Sequence, residues 1–184
     1  AEGYEEYAPA TGKVTIKVAP KSIEGATINL KQNSYEYTGE DIRPELVSVV
    51  LDGVTLECNQ YGEKDYGYGN TYGSDVGTYY LSVTGHNNYT GKKTIEWYIT
   101  AKEVTPTIEV ASCTYTGDAL EPAVTLKDDL GNIIASKEYT VSYSNNTNAG
   151  DAQVTIKDVD GGNYVIKETS QTFTIGQDDA PTDI

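Results

Sequence analysis

The sequence predicts an all-β chain made of two small antiparallel sandwiches in series, with a β-grasp arrangement of similar size as the alternative. Three observations lead there. The β-forming residues Thr, Val, Ile and Tyr dominate, with 16 Tyr beside a single Trp and a single Phe. Apolar residues alternate with polar ones at period two, and no window of about 12 residues keeps the helical period. A long stretch of chain occurs twice, which makes one folding unit used two times.

The duplication orders the elements. YTGEDIRP at 37–44 returns as YTGDALEP at 115–122, and DYGYGNTYGSDVG at 65–77 aligns without gaps on EYTVSYSNNTNAG at 138–150. Each copy continues into a turn, GHNNY at 85–89 or DGGNY at 160–164, and closes on a strand, IEWYIT or QTFTIG. A third trace opens the chain, where GYEEY at 3–7 and GKVTIKVAPK at 12–21 match the turn and last strand of a unit. The expected organisation is therefore terminal strands of a preceding repeat or a linker over 1–21, a first repeat over 22–102, a second over 103–177 and a tail over 178–184. Ala19–Lys21 and Ala101–Lys102 mark linkers, and the chain is expected to be a piece of a longer array.

Faces follow from the pleat, which points successive side chains to opposite sides of a strand. In the second unit Val124 and Leu126 alternate with polar residues in their strand. Tyr139, Val141, Ala152, Val154, Ile156, Phe173 and Ile175 form the expected inward set. Thr140, Ser142, Gln153, Thr155 and Thr174 lie between them and face out. Carried across the alignment, the first unit should bury Tyr66, Tyr68, Tyr79, Leu81, Val83, Trp97 and Ile99. Its outer face should carry Gly67, Gly69, Tyr80 and Tyr98 in place of Thr140, Ser142, Gln153 and Thr174.

Composition narrows the partners. A length of 184 residues with 38% hydrophobic content supports real cores. A net charge of -15 offers no basic face for nucleic acid or anionic membrane. No stretch approaches the roughly 18 apolar residues of a membrane helix, and the first residues lack the pattern of a signal peptide. With two cysteines, Cys58 and Cys113, neither a disulfide framework nor a CxxC metal site is available, and a bridge between the two is left open.

Catalytic chemistry is thin. The single histidine, His86, sits in the GHNNY turn and reads as a solvated turn residue. No GxSxG, HExxH, P-loop or dinucleotide motif appears. The chain is read as a non-enzyme that needs no cofactor. DDLGN at 128–132 and DVDGGN at 158–163 hold oxygen ligands a hard cation uses, but both fall where Asp, Gly and Asn serve hairpin geometry. Lys93, Glu96 and Asn88 match a Lys–Asn crosslink trio by type alone, without a counterpart in the second unit.

In its YTGxxxxP, EYTVSYSNNTNAG, GNY and TFTI segments, the second unit resembles the tandem bacterial Ig-like (MBG-type) repeats of surface proteins of Gram-positive anaerobes. The resemblance covers both full units and the leading fragment. It implies Ig-like sandwiches in a secreted or cell-surface protein, acting as spacers, adhesins or carriers of carbohydrate-binding surfaces. The first unit departs from the pattern, with YGYGNTYGSD in place of YTVxYxNNTN and about five extra residues between Gly53 and Asp65.

That departure locates the candidate binding surface. Tyr80 and Tyr98 are expected to share the outer face of the last two strands, beside a bare backbone strip at Gly67 and Gly69. Tyr61 and Tyr72 would form the rim, with Gln60, Asn70, Asp75 and Glu96 as polar contacts. Aromatic rings cover the apolar faces of sugars while phenol and amide groups take their hydroxyls, so the expected partner is a polysaccharide or glycan. The alternatives are a structural spacer, a protein-binding adhesin repeat, or contact with neighbouring repeats. Trp97 aligns with Phe173 and reads as core. A single bulge within 65–71 would exchange the faces and turn Trp97 outward, which keeps it among the binding candidates.

Overall fold

The computed structural model describes residue 3 and residues 11–58, 64–69, 72–167 and 169–177. Within these residues there is no α-helix, and two units repeat the same nine-strand plan. The first unit comprises β1 (Lys21–Ser22), β2 (Thr27–Leu30), β3 (Ser34–Glu36), β4 (Leu46–Leu51), β5 (Val54–Leu56), β6 (Tyr66–Tyr68), β7 (Gly77–Gly85), β8 (Tyr89–Thr90) and β9 (Lys92–Thr100). The second comprises β10 (Lys102–Val104), β11 (Thr107–Val110), β12 (Cys113–Thr114), β13 (Val124–Lys127), β14 (Ile133–Ile134), β15 (Tyr139–Ser144), β16 (Gly150–Asp158), β17 (Tyr164–Ile166) and β18 (Thr169–Gly176).

Strand order is identical in the two. The larger sheet runs β3-β9-β7-β6 in the first unit and β12-β18-β16-β15 in the second; the smaller runs β2-β4-β5 and β11-β13-β14. The central pairs are antiparallel, while β3 and β12 lie parallel to the closing strands β9 and β18 at one edge. Each unit is thus an Ig-like β-sandwich with a parallel strand added to its antiparallel frame. With no α-helix for a sheet to wrap, the β-grasp alternative lacks its defining element.

The lysines that end the two expected linkers each begin a strand. Lys21–Ser22 pairs in parallel with Tyr89–Thr90, and Lys102–Val104 with Tyr164–Ile166, so each Lys is the first paired residue of its unit. Lys102 accordingly belongs to the second unit and not to the end of the first. The β4–β5 hairpin turns on Asp52 and Gly53, with φ of 50° and 80°. Left-handed angles at both central residues are what a two-residue hairpin needs, and Asp-Gly supplies them at low strain.

The first core joins both sheets: Ile28, Val49, Leu51 and Leu56 pack with Tyr66, Leu81, Val83, Trp97 and Ile99. Trp97 is fully buried at its centre, stacked on Tyr79 at 4.8 Å and meeting Tyr35 edge-on at 5.8 Å. In the second unit Phe173, Ala152 and Ile175 form a cluster separate from the one around Val154, Ile156 and Leu126. Smaller residues at the positions of Trp97 and Tyr79 no longer bridge the two.

Two inward assignments fail at the same aligned position. Tyr68 is 46% exposed and Val141 is 37% exposed. Both lie on the edge strands β6 and β15, where the inner side chains run past the opposing sheet and remain in solvent.

Candidate functional site

The outer face of the first unit's larger sheet brings together part of the expected binding surface. Tyr80 is directly opposite Glu96 and Tyr98 opposite Thr78, so the two tyrosines are diagonal neighbours across β7 and β9. They are 52% and 37% exposed. The Tyr98 hydroxyl donates to Glu96 at 2.7 Å, and this bond, with the carboxylate charge behind it, holds the phenol above its ordinary pKa. Ser82 and Thr94 continue the face with a hydroxyl pair at 2.9 Å. Gly67 lies opposite Thr84 on the adjacent strand, and nothing stands within 4 Å of a Cβ built on Gly69. The face is aromatic at one end and bare at the other.

Other candidates go elsewhere. Trp97 is buried beneath this face and offers nothing to a ligand; the strand over 66–68 keeps its register, with Tyr66 buried, so the faces are not exchanged. Tyr72 is exposed with the Arg43 guanidinium 5.6 Å from its ring centre, and no ring contact ties it to Tyr80 or Tyr98 among the described residues. Tyr61, Gln60 and Asn70 lie outside the described residues. Lys93 and Glu96 are three apart on β9 and so point to opposite faces, which separates the crosslink trio. Cys58 and Cys113 lie in different units and form no disulfide.

The acidic turn at 128–132 is held by its own carboxylate. Asp128 Oδ1 accepts from the backbone N–H of Leu130 at 3.0 Å and of Asn132 at 2.8 Å. These bonds, led by that from Asn132, pull the Asp128 carboxyl below its ordinary pKa. His86 is an exposed turn residue whose N–H donates to the Asp65 carbonyl.

Asp75, expected on the binding face, belongs to a joint between the units. The Asn163 side chain donates through Nδ2 to Asp75 Oδ1 at 2.8 Å, and its Oδ1 accepts from the Val76 N–H at 2.7 Å. Within its own unit Asn163 donates from Nδ2 to Glu138 Oε1 at 3.1 Å and from its backbone N–H to Glu138 Oε2 at 2.8 Å. Its carbonyl accepts from the Lys102 N–H at 3.0 Å. Asn163 and Glu138 are both 5% exposed, and every polar atom of the asparagine is engaged. Gly162 sits close beside them, where a Cβ would stand 3.0 Å from the Val159 carbonyl oxygen and 3.1 Å from Glu138 Oε2.

Aromatic packing flanks the clasp. Tyr37 meets Tyr164 edge-on with ring centres 5.3 Å apart. Burial is the first cause that pushes both phenols above their ordinary pKa, followed by Glu138 and Asp75 at Tyr37 and by the Tyr37 phenol and then Asp128 and Glu138 at Tyr164, so both stay neutral hydroxyls at physiological pH. A cleft of about 350 Å³ opens between the turn at Tyr37 and Thr38 and the hairpin at Asp128 and Leu130, with Lys102 and Tyr164 on its wall. Sequence reasoning missed this joint. Its traces are the Asn-Tyr pair closing both turns and the acidic residue opening both aligned stretches, Asp65 and Glu138.

No known family matches the chain, and no curated protein does. Two solved structures share a likeness at 13% identity. The fibronectin(III)-like modules of Clostridium thermocellum CbhA match over 83% of this chain and 94% of theirs, with a TM-score of 0.28. Murine CEACAM1b matches over 83% and 99%, with a TM-score of 0.24. The sandwich assignment rests on the strand order and cores described above.

Proposed function

We propose that the chain is a non-catalytic module of a secreted or cell-surface bacterial protein, a stiff spacer in which Ig-like units stand in series at a fixed angle. The clasp at Asn163 carries this reading: a fully satisfied buried asparagine restrains two units in a way that a bare linker does not. The resemblance of the repeat motifs to bacterial surface repeats supports the extracellular location. The test is a pulsed-EPR distance between labels at Thr84→Cys and Gln153→Cys, in a chain also carrying Cys58→Ser and Cys113→Ser. A narrow distribution that broadens on Asn163→Ala supports the spacer; equally broad distributions with and without the substitution reject it.

A second reading, glycan binding, is favoured by the face at Tyr80 and Tyr98, where the bond to Glu96 orients one ring. Affinity gels with starch, xylan, cellulose and mucin decide it. Retardation that disappears in Tyr80→Ala/Tyr98→Ala supports a sugar platform, and free migration in all four abandons it. A protein-binding adhesin would instead give a hit in a host-matrix screen, sensitive to the same two changes.

A further inference from the structure

Residues 11–20 belong to no strand or helix and expose Val14, Ile16 and Val18 at 83%, 81% and 85%. Three apolar residues at period two, all in solvent, describe one face of a strand without its sheet. Their register is set by the lysine that begins each unit. Ile99 stands three residues before Lys102, and Val18 three before Lys21; counting back, Val18, Ile16 and Val14 fall on Ile99, Trp97 and Ile95. Ile99 and Trp97 are buried in the first core and Ile95 packs against it.

The near end of the first unit repeats the backbone frame of the joint. The Asn88 carbonyl accepts from the Lys21 N–H at 2.9 Å, as that of Asn163 accepts from Lys102. Tyr89 pairs with Lys21 as Tyr164 pairs with Lys102. Asp65 takes the aligned place of Glu138, but its Oδ2 accepts from the Glu57 N–H at 2.9 Å, so the shared features are the lysine–asparagine bond and the strand pairing. The Asn88 side chain is exposed and bonds to no described residue, whereas that of Asn163 is closed by Asp75 and Val76 of the unit before it.

We infer that residues 11–19 are the last strand of a further unit of this same kind, and that this unit seats on Asn88 and Tyr89 as the first unit seats on Asn163 and Tyr164. The inference rests on the clasp being a joint between repeats. The contact is head-to-tail and does not close on itself, so it extends a row of units.

The experiment supplies the other strands. In one chain, residues 21–91 replace residues 1–10, so that the added Gly91 runs into Thr11 as the native Gly91 runs into Lys92. In a second chain, residues 21–101 are placed there, giving the added unit its own last strand. Hydrogen exchange by mass spectrometry should find amides 13–19 unprotected in the native chain and in the second chain, as expected for an unpaired segment. In the first chain they should slow at least about 100-fold, matching the native Lys92–Thr100. The Asn88 side-chain amide should then move in nitrogen-proton NMR toward the slowly exchanging signal of Asn163. Fast exchange over 13–19 in the first chain, with a protected added unit in the second, overturns the strand assignment. A protected strand with an unmoved Asn88 signal overturns the seat. Failure of the clasp reading is seen separately, as fast exchange at Asn163 in the native chain.

Discussion

Gly73 lies against the ring of Tyr79 so closely that a Cβ at position 73 would stand 2.3 Å from Cζ. The loop is held there by reciprocal backbone bonds between Gly73 and Ile42, at 2.8 and 3.0 Å. In the second unit the aligned residues are Asn146 and Ala152, with the sizes exchanged; the Leu120 N–H donates to the Asn146 carbonyl at 2.8 Å, and the Asn146 side-chain Nδ2 donates back to the Leu120 carbonyl at 2.9 Å. The two units fill one volume from opposite walls. Tyr79 carries the consequence outward: its hydroxyl donates to the Asp75 carbonyl at 2.7 Å, and Asp75 reaches Asn163.

Gly73→Ala should therefore destabilise the first unit by about 1–3 kcal/mol, through overpacking against the ring. Adding Tyr79→Ala should return part of that loss, a coupling read from the double-mutant cycle. Urea unfolding followed by fluorescence measures it, because the only Trp is in the first unit. A loss below about 0.5 kcal/mol would mean that the ring yields without cost.

Trp97→Ala should cost about 3–5 kcal/mol, and Trp97→Phe clearly less, about 1–2 kcal/mol. Phe173 occupies the same place in the second unit, and the indole N–H makes no hydrogen bond that Phe would forfeit. Circular dichroism melts give the order; near-neutral Trp97→Ala would contradict its place at the core centre.

Asn163→Asp should harm the joint more than Asn163→Ala. The change removes the amide donor and sets a third carboxylate against Asp75 and Glu138, at a cost of about 2–4 kcal/mol. Calorimetry should show the loss as weaker coupling between the two units' transitions. Equal melts for the two variants would make the charge at this position irrelevant.

Alkaline pH should loosen the joint. Tyr37 and Tyr164 have folded pKa values above the ordinary 10.0, so the stabilisation linked to their protonated forms is complete below pH 10 and is lost as pH rises through the folded values. The labelled pair at 84 and 153 should broaden above about pH 10. Tyr37→Phe/Tyr164→Phe keeps the ring contact without the titration and should hold the distribution narrow to higher pH. Identical profiles for the two chains would place the loosening elsewhere.

The paired aromatic face was legible because its cause is local. Tyr80 and Tyr98 face outward by the pleat, and the GHNNY turn makes their strands neighbours. The fate of Asp75 was not legible. It stands 88 residues from Asn163 in the chain, and no periodicity links a loop of one unit to a turn of the next.

The sequence by itself determined the duplication, the all-β class and the alternation of sides along the long strands. These follow from period two and from one unit serving as a control for the other. The unbroken register over 66–68 in the structure decided that Trp97 is buried. Only the tertiary structure decided that β6 and β15 are edges, which exposes Tyr68 and Val141, and that Asn163 is closed by a carboxylate from the preceding unit. Edges and joints depend on where whole sheets stand relative to one another, and the alternation of a single strand carries no record of that.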